Sequence, residues 1–314
     1  MPVSEAFGRE VFPLALGTNT FGWTATAEAS QQILDGFVAG GGNFIDTADV
    51  YSVWAPGSTG GDAETVIGDW LAARNNRESV LLATKVSAHP DFKGLKATTI
   101  AGAVEQSLRR LQTDYIDVYY AHYDDPDTPL EETVAAFADL AQRGTIRQVG
   151  LSNYTADRVQ AWVDVATSLG VAKPVSLQPE YNLVSREFEA SLQPVAERNG
   201  LAVLPYFGLA AGFLTGKYES AADVEGTARA RMLGEFVNDK AFAVVHELKA
   251  VAEELDVQPA TVALAWLRSR STVVAPIASA SSPEQLEPLL ASATLELSAE
   301  QLQRLTSVSD ALLA

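Results

Sequence analysis

The sequence predicts an α/β protein of the (β/α)8 TIM-barrel class, from the number, spacing and alternation of its apolar runs. Short runs rich in β-branched residues or Leu recur along the chain, and each is followed by a helical pattern. We place the ends of eight such runs near Gly17, Asp46, Lys85, Ala121, Leu151, Glu180, Phe207 and Ile277. An open doubly wound sheet would give the same alternation. No Gly-x-Gly-x-x-Gly motif follows the first run, however, and the count of eight favours a closed barrel.

Each element in turn fits this interpretation. The first seven run ends lie 27 to 39 residues apart, which is close to the size of one β-α-β unit. Between the fifth and sixth runs, Thr155 and Gly170 carry the cap residues of a helix. After the seventh run comes a long loop, Leu209 to Glu235, which we interpret as a mobile lid with extra helix. After the last run, Pro283 marks the first turn of extra C-terminal helices. No linker divides the chain, so residues 1–314 are predicted to form one domain.

Composition excludes several classes of function. The 314 residues are 47% hydrophobic and can bury a large core, and the formal net charge of −18 disfavours nucleic acid and anionic membranes as partners. The sequence has no leader-like segment and no apolar run long enough to span a bilayer, so we expect a cytoplasmic protein. With no Cys and three His, no metal site is expected.

Four polar side chains follow three of the predicted strands. Asp46 ends the second strand and Tyr51 lies on its loop, Lys85 ends "VLLATK", and His122 ends "YIDVYYAH". Each has an ordinary structural explanation alone, as a turn former, a rim aromatic, a solvated charge or a hydrogen-bonded imidazole. In a barrel, however, the carboxyl ends of the strands meet at one mouth, so we expect the four to converge.

This set of groups suits proton transfer to a carbonyl oxygen. A tyrosine can act as the acid if a neighbouring cation lowers its pKa, which Lys85 would do, with Asp46 holding the lysine charged. His122 would donate to or position the substrate oxygen. No side chain can supply hydride, so a nicotinamide cofactor is required.

The chain resembles the aldo-keto reductases, in the branch that includes the potassium-channel beta subunits. The segments "LGTNTFG", "NFIDTADVYS", "AETVIGDWL", "LLATKV", "YIDVYYAH", "GTIRQVGLSNY", "QPEYNLVSRE", "GFLTGKY" and "PEQLEPLL" carry the resemblance over nearly the whole length. It implies a (β/α)8 barrel, the catalytic tetrad of Asp46, Tyr51, Lys85 and His122, and a nicotinamide cofactor bound without a Rossmann domain. NADP(H) is the expected cofactor and NAD(H) the alternative.

The resemblance also implies which residues contact that cofactor. Ser152, Asn153 and Gln178 would hold the nicotinamide carboxamide, and Tyr206 would stack on the ring. Lys217, Arg229 and the backbone from Gly208 to Gly212 would lie along the phosphates. The full set of expected cofactor contacts is Thr18, Asp46, Ser152, Asn153, Gln178, Tyr206, Phe207, Gly208, Leu209, Ala210, Gly212, Lys217, Arg229, Ile277, Ser279, Ser281 and Gln285.

The sequence departs from the family pattern in two places. Many members read Tyr-Ser-Pro-Leu where this chain reads "YFGL", from Tyr206 to Leu209. The positions that often carry Lys or Arg for the 2′-phosphate are Ser279 and Ser281, and the usual adenine pair is replaced by Pro288 and Leu289.

Three loop residues are candidates for the substrate pocket. Trp23, Trp54 and His89 follow the first, second and third strands, and they can line an aromatic pocket or only pack at its rim. We expect a small-molecule carbonyl or alcohol as the substrate, bound by a monomer or a homo-oligomer. Two alternatives are a nicotinamide-binding regulatory subunit with little turnover, and an aldolase-like enzyme in which Lys85 forms a Schiff base. The adjacent Asp46, which would keep the lysine protonated, argues against the second alternative.

Overall fold

A computed structural model describes residues 6–225 and 233–313. Eight parallel strands form one curled sheet in the order β7-β6-β5-β4-β3-β2-β1-β8. The strands are β1 Ala15–Gly17, β2 Phe44–Asp46, β3 Leu81–Val86, β4 Ile116–Ala121, β5 Ile146–Ser152, β6 Ser176–Gln178, β7 Ala202–Val203 and β8 Ile277–Ala278. A parallel bridge between Val203 and Val273 links β7 to the segment that leads into β8, so the sheet closes on itself. The predicted (β/α)8 barrel is confirmed.

Helices surround the sheet. The described α-helices are α1 Ala27–Ala39, α2 Asp62–Arg74, α3 Ala97–Leu111, α4 Leu130–Gln142, α5 Ala156–Leu169, α6 Glu187–Ser191, α7 Gln193–Asn199, α8 Ala221–Val224, α9 Asp239–Glu254, α10 Pro259–Arg268, α11 Leu286–Ala291 and α12 Ala299–Asp310. Short 3-10 turns cover Arg77–Ser79, Pro90–Phe92, Ala210–Thr215, Gly234–Phe236 and Pro283–Gln285. Across the described ranges, no helix combines the length and apolarity that a bilayer crossing needs.

Two predicted strand ends were wrong. The expected ends near Glu180 and Phe207 lie two and four residues beyond the observed ends, Gln178 and Val203. Pro179 and Pro205 explain the difference, because proline has no N–H to donate to a sheet ladder. Beyond these ends the pairing continues as a bridge between Glu180 and Tyr206, in which the Tyr206 N–H donates to the Pro179 carbonyl at 2.9 Å.

The predicted helix signals hold. Thr155 is the N-cap of α5 and its side chain accepts a hydrogen bond from the N–H of Arg158. Gly170 ends that helix in the left-handed conformation, at φ 66°. Pro283 opens the 3-10 turn that leads into α11, and α12 is the second extra C-terminal helix.

Inward-facing and outward-facing side chains form two separate cores. The barrel interior is filled by one buried cluster, which includes Phe44, Leu81, Ala83, Val118 and Tyr120. The larger cluster lies between the sheet and the helices, as the alternation along strands requires. The ring of Phe7 packs edge-on against Phe44 at 5.4 Å, at the amino end of the strands. The carboxyl ends are therefore the end left for a site.

Candidate active site

Lys85 is the centre of a buried polar cluster at the carboxyl end of the barrel. Its ammonium group donates to Asp46 Oδ2 at 2.7 Å, to the Thr47 carbonyl at 2.8 Å and to the Tyr51 hydroxyl at 3.1 Å. Asp46 and Lys85 are 1% and 0% exposed. All three ammonium protons are used, so the lysine is fixed between the carboxylate and the phenol.

Strand register and a short loop bring these groups together. Asp46 pairs with Ala83, two residues before Lys85 on the neighbouring strand, so both side chains point into the barrel. Beyond β2 the chain turns back, with the Tyr51 N–H donating to the Ala48 carbonyl at 3.2 Å. Ser52 adopts φ 75° and its hydroxyl donates to the Phe21 carbonyl at 2.5 Å. These contacts fix Tyr51 against Lys85.

His122 completes the set from the next strand. Its backbone N–H donates to the Val86 carbonyl at 2.9 Å, just beyond the end of β4. Its ring lies edge-on to the Tyr51 ring, with 6.3 Å between centroids, and 4.9 Å from the ring of Tyr123. Both Tyr51 and His122 line the main cavity. The structure therefore brings the four predicted catalytic residues to one place.

Burial and charge set the protonation of the site. Burial lowers the pKa of Lys85, but the charge of Asp46 and the hydrogen bonds to Asp46 and Tyr51 outweigh it, so the net pKa is raised. Burial raises the pKa of Tyr51, and the Lys85 charge opposes this without overcoming it. The expectation of a tyrosine with a lowered pKa is therefore wrong: the lysine only moderates the rise. Burial, helped by the Lys85 charge, lowers the pKa of His122 well below its usual range, so the imidazole is neutral.

A cavity of about 1780 Å³ opens above this cluster. It runs from the loops after β1 and β2 to α10 and α11, with Trp23 and Trp54 at one side and Gln258 and Pro288 at the other. Most of the expected cofactor contacts line it: Asp46, Ser152, Asn153, Gln178, Tyr206, Phe207, Gly208, Leu209, Gly212, Lys217, Ile277, Ser279, Ser281 and Gln285. Thr18 and Ala210 are buried beside it, and Arg229 lies outside the described residues.

Several of these side chains are held by hydrogen bonds. The Tyr206 hydroxyl donates to Asn153 Oδ1 at 2.9 Å, and the Asn153 amide donates to the His122 carbonyl at 2.8 Å. The Ser152 hydroxyl donates to the Gln178 carbonyl at 2.8 Å. The side chains of Tyr206 and Asn153 thus hold each other in position by a hydrogen bond within the protein.

The candidate substrate residues separate into two groups. Trp23 and Trp54 both line the cavity and meet edge-on at 6.0 Å, and the Trp54 ring lies 6.0 Å from that of Tyr51. His89 is buried outside the cavity lining, where its Nδ1 accepts from the Asp91 N–H and its ring packs on Phe92. It caps the 3-10 turn Pro90–Phe92.

Sequence reasoning missed a second group of polar residues behind the sheet. Glu64 is fully buried and accepts from Thr84 at 2.5 Å and from Arg110 at 2.7 Å. Asp49 and Tyr119 lie close enough for their charges to interact with Glu64 and Arg110. The sequence signal that could have pointed to this group was Asp49, a carboxylate on the loop that carries Tyr51.

Comparison with known proteins identifies the relatives of this fold and site. The Aldo/keto reductase family model matches residues 13–310. Protein tas of Escherichia coli is 34% identical, over 95% of this chain and 94% of its own length. Norsolorinic acid reductase stcV of Emericella nidulans is 33% identical, over 96% and 79%. The aryl-alcohol dehydrogenase [NADP(+)] of Phanerodontia chrysosporium is 31% identical, over 94% and 82%. Because the match spans almost the whole barrel, strand ends included, the chain belongs to the aldo/keto reductase family.

Proposed function

We propose that this protein is an NAD(P)H-dependent oxidoreductase that reduces aldehydes or ketones to alcohols, reversibly, with Tyr51 as the general acid. The observation that carries the proposal is the 3.1 Å contact between the Tyr51 hydroxyl and Lys85, at the floor of the cavity. A partly buried phenol paired with a lysine ammonium can release a proton to an oxygen that is gaining negative charge.

The residues around the cavity fit a nicotinamide cofactor. Ser152, Asn153 and Gln178 present hydroxyl and amide groups beside the aromatic ring of Tyr206, which matches a carboxamide on a flat heteroaromatic ring. Glycine and backbone groups of the Gly208 to Gly212 segment would hold the phosphates, with Lys217. When bound, the reduced cofactor supplies hydride to the carbonyl carbon.

The protein residues handle the proton and the charge. Tyr51 donates its hydroxyl proton to the carbonyl oxygen, and Lys85 stabilises the phenolate that forms. Asp46 keeps Lys85 charged through the 2.7 Å ion pair. His122 is neutral and lines the same cavity, so it can position the substrate oxygen with one N–H donor. In the direction of alcohol oxidation, the Tyr51 phenolate would take the hydroxyl proton of the alcohol.

The walls beside Tyr51 favour substrates with a flat apolar part. Trp23 and Trp54 form an aromatic wall, and the ring of Tyr123, which is 50% exposed, lies 4.9 Å from that of His122 in the same cavity lining. Aryl aldehydes can stack on such walls, and sugars can too. The name of one relative, an aryl-alcohol dehydrogenase, supports the aromatic choice. We also propose a cytoplasmic location.

The decisive experiment is a panel of carbonyl substrates assayed with NADPH and with NADH, followed by absorbance. We expect turnover of several aromatic aldehydes. Cofactor binding without turnover of any member would favour the regulatory-subunit alternative. Borohydride trapping of a carbonyl compound on Lys85 would favour the Schiff-base alternative.

A further inference from the structure

The loop between Tyr51 and α2 is closed at its base by a backbone hydrogen bond. The Gly61 N–H donates to the Tyr51 carbonyl at 3.1 Å, so residues 51–61 form a loop that begins with Tyr51 and carries Trp54. The Gly61 carbonyl accepts from both the N–H and the hydroxyl of Thr65, each at 3.0 Å, which fixes Gly61 to the first turn of α2. The backbone of Tyr51 is therefore tied to Gly61.

Two flat side chains lie directly against the two glycines at this base. A Cβ on Gly61 would lie 2.5 Å from Arg110 Nε and 2.9 Å from Arg110 Cζ. A Cβ on Gly60 would lie 2.8 Å from His89 Nε2. Both glycines adopt the left-handed conformation, with φ of 98° at Gly60 and 81° at Gly61, in which a residue with a side chain is strained. The glycines thus let the guanidinium and the imidazole reach the backbone of the loop.

Arg110 is held in this position by a buried ion pair. Its Nε and Nη2 atoms each lie 2.7 Å from Glu64 Oε2. The other oxygen of Glu64 accepts from the Thr84 hydroxyl at 2.5 Å. Thr84 precedes Lys85 on β3. The guanidinium against Gly61 is therefore held in register with the strand that carries Lys85.

His89 is fixed just as closely, from the loop after β3. It is 4% exposed, its Nδ1 accepts from the Asp91 N–H at 3.1 Å, and its ring lies 5.8 Å from that of Phe92. The edge that remains, Nε2 and Cδ2, is the edge that lies against Gly60. His89 was predicted to line the substrate pocket, and it contacts the base of the Tyr51 loop instead.

We propose that His89 and Arg110 are positioning residues for the proton donor: together they form a rigid support that holds the base of the Tyr51 loop in place relative to Lys85. The inference rests on the function proposed above for this site. Lys85 is placed by its strand, whereas Tyr51 lies on a loop. The 3.1 Å contact between their side chains therefore depends on how that loop is held.

Arg110→Lys and His89→Asn test the inference with small changes. Lysine keeps the positive charge that the buried Glu64 needs but lacks the flat guanidinium. Asparagine can still cap the turn Pro90–Phe92, but it lacks the ring edge that lies against Gly60. We expect each variant to lower kcat about tenfold, less than the roughly hundredfold that a full 1 Å misplacement can cost. Calorimetric titration should show unchanged cofactor affinity.

A second readout does not depend on turnover. The chain has nine tyrosines, so protein labelled with 13C at the tyrosine ζ-carbons gives a small set of NMR signals. The signal of Tyr51 is the one that disappears in Tyr51→Phe. We expect it to shift in both Arg110→Lys and His89→Asn, because the contact of the hydroxyl with Lys85 changes. A wild type that reduces no carbonyl would contradict the proposed function alone, since this signal would still decide the present inference.

Arg77→Lys is the matched control. Arg77 also forms an ion pair at 2.7 Å, with Asp117, and its side chain is 15% exposed against 21% for Arg110. It lies just before β3, at the amino end of the barrel, so the same exchange there should keep the wild-type kcat and Tyr51 signal. A wild-type Tyr51 signal in either Arg110→Lys or His89→Asn would overturn the inference. An equal shift in Arg77→Lys would also overturn it, since it would show only a general loosening of the barrel.

Discussion

Tyr51 connects the polar cluster to the cavity. Its hydroxyl contacts Lys85, and its side chain lines the cavity. We expect Tyr51→Phe to lower kcat by about 100- to 10,000-fold while leaving cofactor affinity unchanged, because the phenol acts only on the oxygen that gains charge in the transition state. Steady-state kinetics and calorimetric titration with the cofactor measure the two effects.

Tyr123→Phe is the control for that substitution, because Tyr123 is a second phenol in the same cavity lining and is half exposed. It should keep kcat within a factor of a few. A Tyr51→Phe enzyme with more than about a tenth of the wild-type kcat would remove Tyr51 from the role of acid.

Asp49 lies on the same loop but behind the sheet, fully buried. Neither carboxyl oxygen has a hydrogen-bond partner of good geometry among the described residues, and the Val50 N–H gives only weak support. Burial, reinforced by the charge of Glu64, raises the pKa of Asp49 well above its usual range; Arg110 and Lys85 oppose this without overcoming it. The group is therefore held as a neutral acid.

A raised pKa in the folded state makes Asp49 a pH-dependent destabiliser. The unfolded chain loses this proton near the ordinary pKa of aspartate, so stability falls as the pH rises from there towards the folded-state pKa. We expect Asp49→Asn to be more stable than the wild type at pH 7 by about 1 to 2 kcal/mol, the size that linkage gives for one strongly shifted carboxyl. Below about pH 4 the difference should vanish.

Urea denaturation of both proteins between pH 3 and pH 8 measures this difference. A gap that stays constant with pH would show that Asp49 has an ordinary pKa. Asn is the appropriate replacement because it exchanges one neutral, unpartnered side chain for another of nearly the same shape.

The sequence predicted the cluster around Lys85 but not the groups that hold it, for a physical reason. Residues that end strands converge in any closed barrel, so Asp46, Lys85 and His122 could be placed from the order of the strands alone. Tyr120 reads as an apolar strand residue, and its hydroxyl finds its hydrogen-bond partner only across the sheet, at Ser176 on β6. Contacts across three strands depend on register, which a single sequence does not give.

At the scale of elements, the strand ends near Pro179 and Pro205 were the part predicted least well. Neither proline has an N–H to donate, so the regular strands end before them although isolated backbone hydrogen bonds continue beyond. The helix caps were predicted better: Thr155 and Gly170 act within one turn of chain, and such local geometry is encoded by the residues themselves.

The contact between β4 and β5 leads to a prediction about packing. Gly150→Ala would put a methyl group 2.3 Å from the Tyr120 ring, so the ring or the strand must move. We expect a loss of about 1 to 3 kcal/mol in the free energy of unfolding, as for other overpacked cores, measured by urea denaturation. The double variant with Tyr120→Leu should recover part of that loss. An additive double variant would show that the Tyr120 ring is not what Gly150 accommodates.

At the scale of the whole molecule, charge bears on the choice of cofactor. The formal net charge is −18, and Lys217 is the sole Lys or Arg that the described ranges contribute to the cavity lining. Ser279 and Ser281 bring hydroxyls there, bonded to Asn19 at 2.7 Å and to Thr24 at 3.0 Å. Neutral hydroxyls can bind a 2′-phosphate, but they give it less stabilisation than a cation does. We therefore expect weak discrimination between NADPH and NADH.

Ser281→Arg should sharpen that preference. One charge-assisted hydrogen bond is worth about 1.5 to 3 kcal/mol, so the NADPH to NADH ratio of kcat/KM should rise about ten- to a hundredfold. Ser271→Arg adds the same charge at an exposed site with no part in the cavity lining, and it should leave the ratio unchanged. A wild type that already prefers NADPH by more than about a thousandfold would mean that another cation reaches the phosphate.

The placement of the five tryptophans makes the molecule its own optical probe. Trp70, Trp162 and Trp266 are at most 1% exposed in the shell around the barrel, so their emission reports on folding. Trp23 and Trp54 stand at the cavity mouth, and Trp54 is 45% exposed. Reduced nicotinamide absorbs light at the wavelengths where indoles emit. Binding of such a cofactor in the cavity can therefore be read as a loss of indole emission, and the two indoles at the mouth should be quenched most strongly.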